Sequence, residues 1–381
     1  MSFDVVVFLN ASVFLVAATM GYIFTFFFIG VSHRFKLLDY PEGRKIHARP
    51  MPFLGGAALF ASFWATVFGG IAAIVVCSRL SPRPLFLDSL SGSVMTLLPK
   101  MTGIFVGGLV IFLVGIYDDK FRWTPVRKLA GQCLAAVILM SLGLTINLVQ
   151  SLGPLGYGIT FVWILMIMNA FNFIDSLDGH CAGIALISSL TFFWITQIIN
   201  QPLVGFLLAS FAGALSGFLP HNFKPAKIFL GDNGSLFIGY LMAAFTLLCR
   251  YQVPQGSYAT LFIPVLVFGV PIYDTMSVII VRLVRGSKPW EGDRNHFAHR
   301  LVKMGMSDRV AVVFSYFIEV TIGLVALLTT QVDFFGAVLV GLIFFSIIGV
   351  IAFLEYYATD SLRRAEELAM RHRRRRDDPR H

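Results

Sequence analysis

Charged side chains are scarce in this chain. Asp, Glu, Lys and Arg make up 13% of its 381 residues, about half the ~25% of a soluble domain, which excludes an ordinary cytosolic enzyme. Cysteine is also sparse. Cys77, Cys133, Cys181 and Cys249 all fall in or beside apolar runs, with neither the spacing of a metal site nor a disulfide framework. The short alternating segments of an outer-membrane barrel are missing. So are the basic n-region and A-x-A site of a signal peptide, and the first apolar run, Val5 to Ser32, is read as a retained helix. Acidic residues are outnumbered, 21 against 30 Lys and Arg, for a net charge of +9. In a soluble chain that excess would suggest nucleic acid. Here the positive-inside rule accounts for it, and no nucleic-acid partner is expected.

What is abundant is continuous apolar sequence, 57% hydrophobic residues with a mean hydropathy of +0.78. The chain therefore reads as an all-α, polytopic membrane protein. About eleven transmembrane helices are expected, at roughly 5–32, 54–78, 102–117, 129–148, 158–171, 181–199, 202–219, 235–250, 258–281, 310–330 and 333–357. With the first connection in the cytoplasm, 26 of the 30 Lys and Arg fall on the cytoplasmic face, and only Arg79, Arg83, Lys100 and Arg250 lie opposite. That asymmetry sets the N-terminus outside and the C-terminus in the cytoplasm. Residues 1–357 form one transmembrane catalytic domain on this reading. Residues 358–381 form a basic cytoplasmic tail, whose Arg-rich run from Arg371 to His381 is read as a disordered anchor near anionic lipid.

The outer connections are mostly short and the inner ones carry the unusual residues. In Gly115-Ile-Tyr-Asp-Asp-Lys120, two carboxylates end a helix at the negative pole of its dipole, which is unfavourable unless a cation offsets it. The rival reading is a solvated loop start. Lys128 follows at the start of the next helix. Asn169, Asn172, Asp175 and Asp178 are spaced i, i+3, i+6, i+9, one slowly drifting stripe if helical; a helix cap would explain one of them but not four. Between His221 and Ser235, Gly231 and Gly234 bracket Asp232 before a new apolar helix, either a turn with a cap or an anion-binding helix start. Trp290 to Arg300 holds the cationic cluster Arg294, His296, His299 and Arg300, suited to phosphate and lacking a third ligand for zinc. Arg44 to Gly56 adds Lys45, His47 and Arg49 before Pro50 and Pro52, basic residues that topology alone would predict. Carboxylates from three loops and cations from three others, all at one membrane face, suit a metal-bridged pyrophosphate met by a lipid-borne partner.

With these motifs in this order, the chain resembles the polyprenyl-phosphate N-acetylhexosamine-1-phosphate transferases over nearly its whole length. The residues that carry the resemblance are the Asp-Asp pair, the Asn-x-x-Asn-x-x-Asp-x-x-Asp-Gly run, Pro-Ala-Lys-Ile-Phe-Leu-Gly-Asp-x-Gly-Ser and the histidine loop. The resemblance implies transfer of a sugar 1-phosphate from a UDP-sugar donor to undecaprenyl phosphate in the lipid bilayer, with release of UMP. It implies Mg²⁺, with Mn²⁺ as the alternative. It implies a multi-pass protein of the bacterial cytoplasmic (inner) membrane with its active site on the cytoplasmic face, and leaves a homodimer open. Asp118, Asp119, Asp175 and Asp232 would be catalytic, with Asp232, Asp175 and Asp119 at the metal and Asp118 handling the lipid phosphate. Lys128 would contact phosphate. Asp178, Asn222 and Phe229 would hold the nucleoside, and Arg294, His296 and His299 the pyrophosphate and sugar. Lys45, His47, Asn169 and Asn172 complete the substrate-binding set.

His-Phe-Ala-His in the late loop, and Arg-Pro-Met-Pro-Phe-Leu-Gly-Gly early on, look like the N-acetylglucosamine branch. The competing branch is the phospho-N-acetylmuramoyl-pentapeptide transferases, which carry a continuous His run and Thr-Pro-Thr-Met-Gly-Gly. Ala298 stands where the N-acetylglucosamine branch usually has another His. A different class, a transporter of an anionic solute, would place ionisable groups near the midplane. Here only Glu319 sits clearly mid-helix.

The charge asymmetry generates the first prediction. In intact cells, Asn295→Cys should be shielded from a membrane-impermeant thiol reagent and Ser257→Cys should be labelled. Labelling at position 295 would overturn the orientation.

Overall fold

The computed structural model describes residues 3–40, 49–78, 85–251, 262–284, 286 and 296–376. Apolar segments that find no water for their backbone groups must satisfy them internally, and thirteen α-helices result among the described residues. They are α1 (Phe3–Arg34), α2 (Gly55–Cys77), α3 (Leu85–Phe121), α4 (Pro125–Ser141), α5 (Pro154–Ile174), α6 (His180–Ile198), α7 (Pro202–Asn222), α8 (Gly231–Leu248), α9 (Ile263–Val267), α10 (Gly269–Val284), α11 (Phe297–Lys303), α12 (Asp308–Leu328) and α13 (Phe334–Arg376). Proline opens α4, α5 and α7, where its missing N–H costs nothing and its fixed φ already suits a helix. Ser307 caps α12 by accepting from the Val310 amide at 3.4 Å.

The protein is an all-α polytopic membrane protein. Eight helices among the described residues are long and apolar enough to cross a bilayer: α1, α2, Val94–Phe121 of α3, α5, α6, α7, α12 and Phe334–Tyr357 of α13. The other three expected segments take different forms. Segment 129–148 becomes the 17-residue α4 followed by a 3-10 turn, Asn147–Leu152. Segment 235–250 becomes the 18-residue α8, and 258–281 is broken at Phe268 into α9 and α10. Past the last spanning stretch, the backbone of α13 stays helical through Arg376.

α8 is the centre of the core. Every residue from Asn233 to Leu248 is buried, which is why it is apolar all round rather than amphipathic. Its N-terminal end is seated by a short extended segment. Two strands, β1 (Leu38–Asp39) and β2 (Met51–Pro52), pair antiparallel with Leu38 opposite Pro52. On the other side, the Phe229 amide donates to Pro52 O at 2.8 Å, and the Gly55 and Gly56 amides donate to Phe229 O and Leu230 O at 3.1 and 3.0 Å. The chain entering α8 is thus hydrogen-bonded to the chain entering α2.

Two glycines allow this close seating. A Cβ on Gly115 of α3 would run into the backbone of Asn233, and one on Gly56 of α2 into Asn233 and the Gly234 backbone. Gly115→Ala should therefore push α8 off α3 and cost about 1–3 kcal/mol, the usual penalty of overpacking. The check is the thermal unfolding midpoint in detergent. Gly69→Ala, whose new methyl would meet nothing within 4 Å, should leave that midpoint unchanged or slightly raised.

Candidate active site

The Asp118–Asp119 pair lies in the last turn of α3, and its two members are neutralised differently. Asp119 reaches the start of α8, where its Oδ1 accepts from the Asp232 amide at 2.8 Å. Its Oδ2 accepts from the Asn233 amide at 3.1 Å and from Asn233 Nδ2 at 2.5 Å. The carboxylate that is misplaced at the C-terminus of its own helix thus caps the positive N-terminus of another. Asn233 Nδ2 also donates to Phe53 O at 2.8 Å, which ties the cap to the segment before α2. Asp118 instead meets Lys128, at 3.1 Å, and its Oδ1 accepts from the Trp123 amide at 2.8 Å.

Lys128 stands in the first turn of α4, close to the C-terminal turn of α3 across a short connection. Its ammonium is shared among Asp118, Asp232 and Asn172, with Asn172 Oδ1 at 3.1 Å. Asn172 completes the ring. Its Nδ2 donates to Asp232 Oδ1 at 2.8 Å and to Ser235 Oγ at 2.9 Å. Four elements, α3, α4, α5 and α8, therefore meet at one ammonium.

The four-residue Asn/Asp stripe is not a continuous helical face. α5 ends at Ile174, so Asn169 and Asn172 are helical while Asp175 and Asp178 lie in the turn before α6. That turn closes at Gly179 with φ +80°, a left-handed conformation natural to glycine. Of the four, Asn172 joins the ring, and Asn169 lies outside it. It exchanges amide hydrogen bonds with Gln132 of α4, at 2.9 and 3.2 Å, and so joins α4 to α5. Gln132 was missed by sequence reasoning; a lone glutamine one turn after Lys128 in an apolar helix was its only signal.

Beside the ring opens a cavity of about 600 Å³ whose wall includes Asp119, Asp175, Asp178 and Asp232 at one end. Asn222, Lys224, Phe229, His299 and Asp308 also line it. The Asp178 carboxylate accepts from the Ala226 amide at 3.2 Å, which fixes the loop 223–229 over the turn. Asn222 turns its amide to the backbone, accepting from the Gly179 amide at 3.1 Å and donating to Ile228 O at 2.9 Å. Lys224 pairs with Asp308, and Arg309 Nε donates to Lys224 O at 3.0 Å. Lys224 and Asp308 were not singled out from sequence, where each passes as an ordinary loop charge.

Desolvation, followed by the charges of Asp232, Asp119 and Asp178, holds the Asp175 carboxyl well above the ordinary carboxylate range, and Lys128 only partly opposes this. Negative charge at this end of the cavity exceeds what one ammonium offsets. No group of three or more His, Cys, Asp or Glu side chains among the described residues is arranged to hold a metal ion. Mg²⁺ does not require one, because it commonly takes one or two carboxylates and completes its shell with water and substrate phosphate. Asp175, Asp232 and Asp119 all line this cavity, which gives such an ion carboxylate oxygens to meet, although those of Asp232 are also bonded to Lys128 and Asn172 and those of Asp119 to the start of α8.

The two late-loop histidines part company. His299 lines the cavity. His296 is buried at 9% exposure and bonds Asp274 Oδ2 through Nδ1 at 2.8 Å. Ala298 is fully buried, so position 298 faces the core in this chain. Arg294, Lys45 and His47 lie outside the described residues.

Residues 101–250 match the model of glycosyl transferase family 4. The chain is 30% identical over 365 residues to the decaprenyl-phosphate N-acetylglucosaminephosphotransferase of Mycobacterium leprae, covering 87% of each chain. It is 32% identical over 266 residues to the undecaprenyl-phosphate alpha-N-acetylglucosaminyl 1-phosphate transferase of Thermotoga maritima, covering 69% of this chain and 72% of that one. The protein of the same description from Escherichia coli O157:H7 is 25% identical over 310 residues, 76% of each.

The Asp119 cap has a direct test. Asp119→Ala leaves the Asp232 and Asn233 backbone amides without their acceptor, at about 1–3 kcal/mol for an unsatisfied buried group, and should lower the unfolding midpoint clearly. Asp232→Asn keeps the backbone amide that Asp119 caps but has one acceptor oxygen for the Lys128 and Asn172 donors, and should lower the midpoint less than Asp119→Ala. Equal midpoints for Asp119→Ala and wild type would show that the cap is idle.

Proposed function

The chain belongs to glycosyl transferase family 4 and, within it, to the polyprenyl-phosphate N-acetylhexosamine-1-phosphate transferases, and from that premise we propose that it moves N-acetylglucosamine 1-phosphate from UDP-N-acetylglucosamine to undecaprenyl phosphate. UMP leaves, and the product begins a cell-envelope polysaccharide at the cytoplasmic face of a bacterial inner membrane. The observation that carries this reading is the Lys128 ammonium shared by Asp118 and Asp232, at the edge of a cavity large enough for a nucleotide sugar. The relatives named above act on N-acetylglucosamine with either decaprenyl or undecaprenyl phosphate, which supports the sugar more firmly than the length of the lipid.

The chemistry asks little of acids and bases. A phosphate monoester has a second pKa near ~6, so the lipid phosphate is largely a dianion at neutral pH and already nucleophilic. The difficulty is bringing two anions together. Lys128 screens that repulsion from the rim. Asp118, held by the Trp123 amide and Lys128, orients the acceptor phosphate against the ammonium. Phe229 and Asn222 line the nucleoside end, with Asp178 holding their loop in place, and His299 lies toward the sugar. Asp175 and Asp232 would hold Mg²⁺, which when bound neutralises charge on the donor diphosphate. The loops set in-line approach on the sugar-bearing phosphorus.

Purified protein supplied with undecaprenyl phosphate and Mg²⁺ should release UMP from UDP-N-acetylglucosamine and form a butanol-extractable lipid that carries the sugar. Asp232→Asn should lose that turnover while remaining folded. Preference for UDP-N-acetylmuramoyl-pentapeptide would move the chain to the peptidoglycan branch. Solute flux in proteoliposomes without UMP release would favour a transporter.

A further inference from the structure

The short helix α11 brings His299 to the cavity wall, yet its seven residues are too few to hold a fixed position unaided. Two carboxylates outside the cavity hold it. Asp274, in the first half of α10, is fully buried. One of its oxygens accepts from His296 Nδ1 at 2.8 Å, and the other accepts from the Phe297 amide, the first of α11. At the other end of α11, Arg300 Nε donates to Glu355 Oε1 at 2.8 Å and its NH2 group to Ser277 Oγ at 2.7 Å. The Tyr273 hydroxyl donates to the second Glu355 oxygen at 2.7 Å. Between these anchors, Phe297, Ala298 and Leu301 face the core, and Phe297 packs edge-on against Tyr273 with centroids 5.8 Å apart.

We propose that Asp274 is a positioning residue for donor recognition: by fixing His296 and the start of α11, it holds His299 at the cavity wall. The proposal rests on reading that cavity as the donor pocket. It also divides the two histidines, making His296 an anchor and His299 the side chain that meets the donor. A buried carboxylate is costly unless its oxygens are well bonded, and here one oxygen goes to a ring and the other to a helix start. Bonding the carboxylate puts the His296 proton on Nδ1, as a carboxylate partner does for an oriented histidine elsewhere. An amide at position 274 has one acceptor oxygen for these two donors. One of them is left unmet, and the ring or the helix must turn.

The test uses the full-length purified protein, with UDP-N-acetylglucosamine varied at saturating undecaprenyl phosphate and then the reverse. Asp274→Asn should lower donor kcat/KM by roughly ten-fold or more, the scale set by loss of the partner that orients a metal-ligating histidine. The acceptor KM should stay within about two-fold, the ordinary scatter between independent sites. Adding Asp274→Asn to His299→Ala should cause no further loss, because both changes remove the same contact. His296→Asn, whose amide can still donate to Asp274, should retain most of the donor kcat/KM, whereas His296→Ala should fall with Asp274→Asn. Additive losses, unchanged donor kinetics in Asp274→Asn, or a His296→Asn as impaired as His296→Ala would each overturn the proposal. If Asp274→Asn does not fold, the two His296 variants decide alone. A wild-type protein that makes no lipid-linked sugar would sink the functional reading itself, and the proposal with it.

Discussion

The site depends on one half-buried carboxylate. Asp119 spends both oxygens on three N–H groups at the start of α8. The two backbone amides among them, of Asp232 and Asn233, would otherwise be orphan donors at the end of a helix buried along nearly its whole length. A helix-end charge of this kind contributes about 0.3–1 kcal/mol when exposed and up to about 2 when partly buried. Its larger effect is on position. Asp232 is the residue whose amide is captured, so the cap sets where the Asp232 side chain begins. From there the order passes to Asn172, Lys128 and Asp118 through direct contacts. Gly115 and Gly56 let the backbones approach closely enough for the cap to form.

A second consequence concerns charge. Asp119, Asp175, Asp178 and Asp232 share one end of the cavity wall, and Lys128 is the ammonium bonded to the ring there. An anionic diphosphate would be repelled from such a wall by itself. A wall this negative suits a ligand that arrives with a divalent cation, in keeping with the metal-assisted transfer proposed above. Other residues of the cavity wall are held by ion pairs and hydrogen bonds. Lys224 is held by Asp308, and α11 is held by Asp274 and Glu355. The chemistry would thus be concentrated where α3, α4, α5 and α8 meet, while recognition falls to loops pinned from behind.

Composition and hydropathy alone determined that this chain is an all-helical membrane protein, and approximately where most of its helices lie, because a bilayer leaves a backbone few other ways to satisfy its polar groups. The order of the motifs likewise marked Asp118, Asp119, Lys128, Asn172, Asp175 and Asp232, since polar side chains at the ends of apolar helices are costly without a purpose. Periodicity misled where it ran past a helix end, as at Asp175 and Asp178, and where a span broke, as at Phe268. Only the tertiary structure decided which donor meets which acceptor. Asp119 and Asp232 are 113 residues apart in sequence, and no local pattern could reveal that a carboxylate on α3 caps α8. The same holds for Asn169, which pairs with Gln132 and stays out of the ring, and for His296 and His299, three residues apart with different partners. Sequence constrains each side chain's chemistry and the face it occupies, but a hydrogen bond is directional and short, and its partner is chosen only when separate helices pack.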